Sequence, residues 1–346
     1  MINSYIRGIA HYVPEEVLTN EDLSNLMDTS DDWIRTRTGI HERHTVGNTN
    51  MGPADLAVKA SNLLFEKEDI DKSEIDFVVF ATSTPDYFVP GSGSIFQDKL
   101  GLNTIGVLDI RQGCSGFTYA LTVANNFIKS GLYKNILVVG AEVQTTQLDF
   151  DNEGRGTAVL FGDGAAVCLV SGTNKDKGIL SSHLHSDGKY IEELGTEFPS
   201  SRYKDIITQE NVKDRKHHIH MNGREVFKHA VRRFPEVILE GLEYNNLKAL
   251  LWPQYEQIPG ITEDDKRHWG KTTLALKTYE FEKQNEEEYN RLYDINLQII
   301  ITQLINLLNS DFTKTRTWLL EKVAQQQKEV PVVVVKATDR TARRDK

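Results

Sequence analysis

Cys114 is the residue of this 346-residue chain best suited to covalent chemistry, and it is one of only two cysteines. It follows a strand-length apolar run at residues 105–110 and precedes a helical pattern that begins at Ser115. A helix N-terminus offers unpaired backbone N–H groups and the positive end of the helix dipole. Both features favour a thiolate, which is the nucleophilic form of cysteine. The alternative interpretation is an inert cysteine packed under the helix, as the apolar strand around Cys168 predicts for that residue.

The elements that would position Cys114 alternate between strand and helix. Strand-length apolar runs lie at residues 75–82, 105–110, 135–140 and 165–170. Residues 115–130 have a helical pattern that Gly131 should end, with an apolar face made of Phe117, Ala120, Leu121, Ala124, Phe127 and Ile128. Strands that are apolar on both faces and joined through helices are typical of parallel sheets covered on both sides. The sequence therefore predicts an α/β fold with layered, mostly parallel sheets.

The later part of the chain changes character twice. After a polar break at residues 174–177, a strand is predicted over residues 178–185 and a helix over 221–244, with a kink at Pro235. Beyond residue 246 the patterns are mainly helical, and the clearest is an amphipathic stretch at residues 286–308. These changes predict three parts: 1–173 with the nucleophile, 174–246, and an atypical helical tail at 247–346.

Composition excludes several classes of function. The chain carries 40 Lys and Arg against 50 Asp and Glu, a net charge of −10, which argues against nucleic acid as a partner. The apolar runs are too short to cross a membrane, and the N-terminal residues do not resemble a signal peptide. Two cysteines and a local histidine group at residues 217–220 do not make a metal site, and no cofactor is predicted. A reducing, cytoplasmic location is the expectation.

Five segments together carry a resemblance to a known family. They are residues 29–40 (Thr-Ser-Asp-Asp-Trp-Ile-Arg-Thr-Arg-Thr-Gly-Ile) with Glu42-Arg43 after them, Cys-Ser-Gly-Phe at 114–117, Gly-Arg-Gly-Thr at 154–157, Leu-Phe-Gly-Asp-Gly-Ala-Ala at 160–166, and Met-Asn-Gly-Arg-Glu-Val-Phe-Lys at 221–228. Over about residues 1–246 the chain resembles the β-ketoacyl-acyl carrier protein synthase III group of condensing enzymes. The resemblance implies a thiolase-like fold and a homodimer.

The resemblance also implies a reaction in fatty acid biosynthesis. An acyl-CoA primer would acylate Cys114, and the carbanion formed by decarboxylation of malonyl-acyl carrier protein would then attack the acyl-cysteine. Acyl-CoA and malonyl-acyl carrier protein are therefore the expected partners.

Further site residues follow from the resemblance alone. Trp33, Arg37 and Arg155 occupy the positions that hold the nucleotide end of CoA, where an indole can stack and guanidinium groups can pair with phosphate. Phe88 resembles a residue contributed across the dimer to the acyl pocket, and Phe227 would line the substrate channel. Each of these residues has a structural alternative, such as a packed anchor for Trp33 or a surface ion pair for Arg37.

The chain departs from the family in its last hundred residues. The family stabilises the charge that forms on decarboxylation with a histidine from a Pro-His-Gln-Ala-Asn segment and an asparagine from a Gly-Asn-Thr-Thr segment. Neither segment is present in this sequence. The nearest matches have Gln254 in place of the histidine and Lys271 in place of the asparagine.

Two other interpretations therefore remain open beside the condensing enzyme. One is a truncated or fused thiolase-fold protein that binds or accepts acyl groups without condensing them, which the missing donors favour. The other is a related natural-product ketosynthase, which the bulky Arg111 and Gln112 before the cysteine leave open.

Overall fold

The computed structural model of the protein describes residues 2–246, which form nine strands and eight helices. The strands are β1 (Asn3–Tyr12), β2 (Glu16–Thr19), β3 (Glu42–Thr45), β4 (Phe77–Ala81), β5 (Gly106–Ile110), β6 (Asn135–Val143), β7 (Asp163–Thr173), β8 (Leu194–Gly195) and β9 (His220–Met221). The helices are α1 (Asn20–Ser24), α2 (Asp31–Thr38), α3 (Pro53–Glu68), α4 (Ser92–Leu100), α5 (Gly116–Lys129), α6 (Arg155–Ala158), α7 (Gln209–Lys213) and α8 (Gly223–Tyr244).

The main sheet has the strand order β1-β7-β6-β4-β5. Strand β4 pairs in parallel with both β5 and β6, whereas β7 pairs antiparallel with both β6 and β1. The predicted α/β fold is confirmed, but the sheet is mixed where the sequence predicts a mostly parallel one. The physical reason is that apolar runs report burial on both faces, and burial does not specify the direction in which two strands pair.

Helices cover both faces of this sheet. Alternate residues along each strand point to opposite faces, so Val78 and Phe80 enter one core while Val79 enters the other. Helices α3 and α4 cover the first core, and α5 covers the second. Fully buried strand residues on both faces therefore hold the sheet between two helical layers.

The helix predicted over residues 115–130 is confirmed as α5. It ends at Lys129, and Gly131 adopts a φ of 78°, the left-handed conformation that glycine allows after a helix. The beginning of α5 packs against Gly140 of β6. A Cβ atom added to this glycine would lie 2.9 Å from Cδ2 of Phe117, which is too close for a side chain to fit. The lack of a side chain at Gly140 thus lets the beginning of α5 approach the sheet closely, and the residues just before α5 are held against the strand ends.

One local prediction in the later segment was wrong. No strand forms at residues 178–185 among the described residues, because a strand needs a neighbour to pair with its backbone and only isolated contacts such as Ile179 N to Ser4 O (2.9 Å) are present there. Helix α8 confirms the helix predicted over 221–244, and the kink at position 235 stays a prediction. The amphipathic stretch at 286–308, Gln254 and Lys271 lie outside the described residues, and the three-part domain division stays a prediction.

A smaller core holds α1, α2 and α6 together. It contains Leu23 of α1, Ile34 of α2 and Ala158 of α6, all fully buried. The side chain of Arg43 lies completely buried beside it and donates to Leu18 O (3.0 Å), Asn20 Oδ1 (2.8 Å) and Val159 O (3.1 Å). Burial lowers the pKa of this guanidinium to about 10. The hydrogen bonds that Arg43 donates connect the antiparallel pair β2–β3 to the end of α6, close to α2.

Candidate active site

The carboxyl ends of the three parallel strands define one edge of the sheet. Strand β4 ends at Ala81 and pairs with Ile110 of β5 on one side and with Gly140 of β6 on the other. Strand β6 then continues to Val143. The residues that follow these ends lie at the same edge, where ligands bind in open α/β sheets. Cys114, which follows β5, is one of them.

Cys114 lies in a single 3₁₀ turn, Gly113–Ser115, directly before α5. Gly113 has a φ of 52°, a left-handed conformation that suits glycine, and Ser115 makes no side-chain cap of the helix. The residue is exposed, in contrast to Cys168, which is buried within β7 as predicted. The strand-to-helix position of Cys114 is confirmed, and the first backbone N–H of α5, that of Gly116, donates to Gly113 O within this turn.

The electrostatic prediction for Cys114 was wrong in direction. Removal of water from around the thiol by neighbouring protein atoms raises its pKa, and the nearby carboxylate of Glu142 raises it further. A helix terminus contributes only about 0.3–1 kcal/mol to a charge near it. Loss of hydration around a charge has the larger effect on a pKa. Burial and the Glu142 carboxylate therefore both favour the thiol over the thiolate at Cys114.

Glu142 is the functional-site residue that the sequence analysis missed. Its carboxylate accepts hydrogen bonds from Ser83 N (2.9 Å), Ser83 Oγ (2.8 Å) and Thr84 Oγ1 (2.8 Å). Burial nevertheless raises the pKa of Glu142. These bonds attach the loop after β4 to the end of β6, at the sheet edge that carries Cys114. The available signal was an acidic residue two positions after the apolar run at 135–140.

Glu142→Gln is expected to lower the pKa of the Cys114 thiol, because it removes the nearby negative charge and keeps the shape of the side chain. In the wild-type protein the pKa of Cys114 is raised, so its rate of alkylation by iodoacetamide should rise only at a higher pH than the rate of an ordinary thiol does. The variant should react several-fold faster at pH 7.5. The pH profile of alkylation at Cys114, followed by peptide mass spectrometry, measures the shift. Glu153→Gln, in an exposed loop, is the control, and coincident profiles for the Glu142 variant and wild type would contradict the assignment.

Trp33, Arg37 and Arg155 come together on one surface. The guanidinium carbons of Arg37 and Arg155 lie 4.5 Å and 5.1 Å from the ring centroid of Trp33. Arg155 Nη1 donates to Asp28 O (2.6 Å), and Arg37 Nη1 donates to Trp33 O (3.4 Å). Within residues 2–246 neither arginine takes part in a salt bridge, which argues against the surface ion pair considered for Arg37. We refer to these three residues as the Trp33 cluster.

A clamp on the loop before Arg155 was also missed. The guanidinium of Arg215 forms ion pairs with Asp149, Asp151 and Glu153. These partners hold the pKa of Arg215 well above its usual range. The three carboxylates lie within the six residues before Arg155. Their ion pairs with Arg215 therefore hold the loop that leads into α6. The sequence carries no signal that Arg215, more than sixty residues away, is the common partner.

Among the described residues, no ring contact connects Phe88 or Phe227 to Cys114 or to the Trp33 cluster. Their exposed fractions are 56% and 63%. Phe88 lies between Tyr87 and Val89, which are also exposed. The predicted roles of Phe88 and Phe227 in acyl binding therefore remain predictions.

The histidine group predicted not to bind metal lies before α8. The rings of His217 and His218 are 4.0 Å apart, centroid to centroid. In the described part of the chain, no group of three or more His, Cys, Asp or Glu side chains is arranged to hold a metal ion.

Comparison with known proteins assigns the family. A model of the family described as 3-oxoacyl-[acyl-carrier-protein] synthase III matches residues 108–188. The β-ketoacyl-[acyl-carrier-protein] synthase III of Fusobacterium nucleatum is 41% identical over 266 residues, which cover 76% of this chain and 80% of that protein. The chain belongs to the β-ketoacyl-[acyl-carrier-protein] synthase III family. The synthase III of Ehrlichia canis is 43% identical over 72% of this chain and 74% of its own length.

Solved synthase III structures agree with this assignment. The Aquifex aeolicus structure has a TM-score of 0.63 at 36% identity and covers 71% of this chain and 73% of its own. The Pseudomonas aeruginosa structure has a TM-score of 0.66 at 28% identity, with 80% of each chain covered. The predicted thiolase-like α/β fold and the function class of a condensing acyltransferase in fatty acid biosynthesis are thus confirmed. No helix among residues 2–246 has the length and apolar character needed to span a bilayer.

Proposed function

We propose that this synthase III condenses an acyl-CoA primer with malonyl-acyl carrier protein through an acyl-enzyme at Cys114. The observation that carries the proposal is the position of Cys114. It is an exposed thiol in the turn between β5 and α5, at the carboxyl edge of the parallel strands. A nucleophile at the start of a helix lies next to backbone N–H groups, and such groups can donate to the oxygen of the carbonyl group whose carbon it attacks.

The first half-reaction transfers the acyl group. Cys114 Sγ attacks the carbonyl carbon of the thioester, the bond to the CoA sulfur breaks, and the thiol proton goes to the departing CoA thiolate. In the second half-reaction the malonyl group loses carbon dioxide, and its carbanion attacks the acyl-cysteine. The new carbon–carbon bond forms as the Cys114 thiolate leaves. The raised pKa of Cys114 is compatible with these steps, because the departing CoA thiolate takes the thiol proton in the first half-reaction and the Cys114 thiolate released in the second takes a proton from water.

The Trp33 cluster supports a CoA thioester as the first substrate. Arg37 and Arg155 present two positive charges beside one indole ring, and within residues 2–246 neither charge is neutralised by a salt bridge. Guanidinium groups form paired hydrogen bonds with phosphate, and the face of an indole ring can stack on a nucleobase. Arg43 binds the end of α6, and Arg215 binds the loop before α6, so both stabilise the position of the helix that carries Arg155.

Replacing both Arg37 and Arg155 with alanine is expected to weaken binding of acetyl-CoA by roughly 10- to 100-fold. The basis is two lost charge-assisted hydrogen bonds of about 1.5–3 kcal/mol each, reduced because the site is partly exposed to solvent. Isothermal titration with CoA measures the loss of affinity. The difference between wild type and the double variant should be smaller with dephospho-CoA or at high salt. Arg35→Ala, on the same helix but paired with Asp31, is the control. Equal affinity of the double variant and wild type would overturn the assignment.

We also propose a homodimer formed along β5. This strand is the last in the sheet, and Gly106, Leu108 and Asp109 are exposed on it. An exposed edge strand can pair with another strand. The adjacent exposed residues Tyr87, Phe88 and Val89 supply apolar surface next to that edge. A second copy placed here would bring Phe88 into the other subunit, as the resemblance implies.

Phe88→Glu is expected to shift the protein from dimer toward monomer, because the dimer would place two extra negative charges in a closed apolar interface. Analytical ultracentrifugation should show a dissociation constant at least tenfold higher than that of the wild type. Ile191→Glu, at another exposed apolar position, is the control and should leave association unchanged. A wild-type protein that is monomeric at all concentrations would refute the dimer.

The central proposal is tested by incubating the protein with acetyl-CoA and measuring intact mass. One acetyl group should be added per chain, and peptide mapping should locate it on Cys114. No mass gain, or a gain on another residue, would refute the acyl-enzyme.

A further inference from the structure

A second group of reactive side chains lies away from Cys114, between α5, α8 and the segment that follows β7. It lines a cleft of about 410 Å³ whose walls include Asn126 and Lys129 from α5, Ser181 and His183 from the segment, and Glu240 from α8. None of these residues takes part in the condensing reaction described above. The inference from this cleft is independent of the proposed acyl-enzyme at Cys114.

Three of these side chains form a continuous hydrogen-bonded relay. Ser181 Oγ lies 2.8 Å from His183 Nε2, and His183 Nδ1 lies 3.0 Å from Glu240 Oε1. The order of atoms is serine hydroxyl, one ring nitrogen, the other ring nitrogen and a carboxylate. A nucleophile beside a base that a third group orients is the arrangement of serine hydrolases, which recurs on unrelated folds.

The direction of each hydrogen bond follows from the charge of Glu240. Hydrogen bonds from His183 and then His185 hold the pKa of Glu240 below its usual range, so the carboxylate is ionised and only accepts. His183 Nδ1 must therefore donate to it, which leaves Nε2 of the neutral ring as an acceptor. Asn245 Nδ2 donates to Ser181 Oγ (2.6 Å), so the serine keeps its own hydrogen for His183. The hydroxyl thus points at its base.

The surroundings hold His183 in place. Only 14% of its side chain is exposed, and its ring meets the ring of Tyr244 edge to face at 5.3 Å between centroids. A Cβ on Gly241 would lie 3.5 Å from His183 Cδ2, so α8 packs directly against the imidazole. His185 is bound to the other oxygen of Glu240 (2.5 Å), but 65% of its side chain is exposed and it does not contact the serine. One histidine is therefore oriented toward the serine and the other is not.

We propose that Ser181, His183 and Glu240 form a second catalytic site that cleaves small carboxylic esters. Ser181 Oγ attacks the ester carbonyl carbon while its proton moves to His183 Nε2. The carbon–oxygen bond of the leaving alcohol then breaks, and the alcohol takes that proton. Water attacks the acyl-serine, gives a proton to His183, and releases the carboxylic acid as the proton returns to Ser181.

The decisive experiment uses a fluorophosphonate, which reacts with activated serines and releases fluoride. The full-length protein should be labelled once, on Ser181, as shown by intact mass and peptide mapping. Ser181→Ala should abolish the label, and His183→Ala and Glu240→Gln should slow labelling by at least about 100-fold and 10-fold respectively. Ser182→Ala, which changes the neighbouring serine of the same cleft, should label at least half as fast as wild type.

A second measurement keeps the result independent of folding and of the condensing site. Hydrolysis of p-nitrophenyl acetate is followed in a Cys114→Ala background, so that the thiol does not contribute, and circular dichroism melting compares the folding of each variant. Hydrolysis should persist in that background and disappear with the added Ser181→Ala change. Absence of labelling in the wild-type protein, or equal labelling of Ser181 and Ser182, would overturn the second site. Neither outcome bears on acylation at Cys114.

Discussion

Cys114→Ala is expected to abolish acetyl transfer from acetyl-CoA to the protein. The variant removes the sulfur that forms the new thioester, and the other cysteine, Cys168, is buried within β7 with a pKa raised by that burial. Loss of a catalytic nucleophile commonly costs about 10⁶-fold in rate, so residual transfer should be below detection. The measurements are intact mass after incubation with acetyl-CoA and the release of free CoA.

The matched control is Cys168→Ala, which removes a cysteine without touching the strand-to-helix turn. It should retain the full mass gain, with some loss of stability because a small buried side chain is shortened. Binding of CoA by Cys114→Ala should be unchanged, since the Trp33 cluster does not involve the thiol. A Cys114→Ala protein that still gains one acetyl group would place the acyl-enzyme elsewhere and refute the proposal.

Condensation with malonyl-acyl carrier protein is expected to be slower than acylation by roughly 10²–10³-fold for each missing donor. Decarboxylation places negative charge on a thioester oxygen, and the family supplies a histidine and an asparagine to bind it. The segments that carry these residues are not found in this sequence, where Gln254 and Lys271 stand in the nearest matches. The matches cover 74–80% of the length of the two curated relatives compared, so the family assignment leaves room for this difference.

Rapid-quench kinetics separate the two steps. Mixing the protein with acetyl-CoA and malonyl-acyl carrier protein should release one CoA per chain in a fast burst. Slow release of carbon dioxide and of the condensed product should follow. The Aquifex aeolicus synthase III, a solved relative, serves as the reference in the same assay. Steady-state condensation as fast as the burst would show that other donors replace the missing pair. That result would exclude the acyl-accepting alternative.

Much of the fold was predictable because the signals are local. The apolar strands β4 and β6 and the helix α5 match their predicted positions to within a few residues. Periodicity of buried residues and the glycine after α5 are properties of neighbouring positions in the chain. The direction in which β7 pairs is not local, and there the prediction of a mostly parallel sheet was incomplete.

The wrong strand at residues 178–185 has a related cause. A strand is stable only when another strand satisfies its backbone groups, and the sequence of one segment does not name its partner. In the structure this segment instead places Ser181 and His183 opposite Glu240 of α8. The relay therefore could not be seen in the sequence, although two of its members are only two residues apart.

The sequence by itself determined the family and the place of Cys114 between a strand and a helix. Types of residue and their short-range spacing carry that information. Only the tertiary structure decided that Glu142 lies close enough to raise the pKa of Cys114 and that two arginines more than a hundred residues apart share Trp33. Electrostatic effects depend on distance in space and on burial, and neither can be read from separation along the chain. Burial and Glu142 thus favour the thiol form of Cys114, where the helix end alone predicted a thiolate.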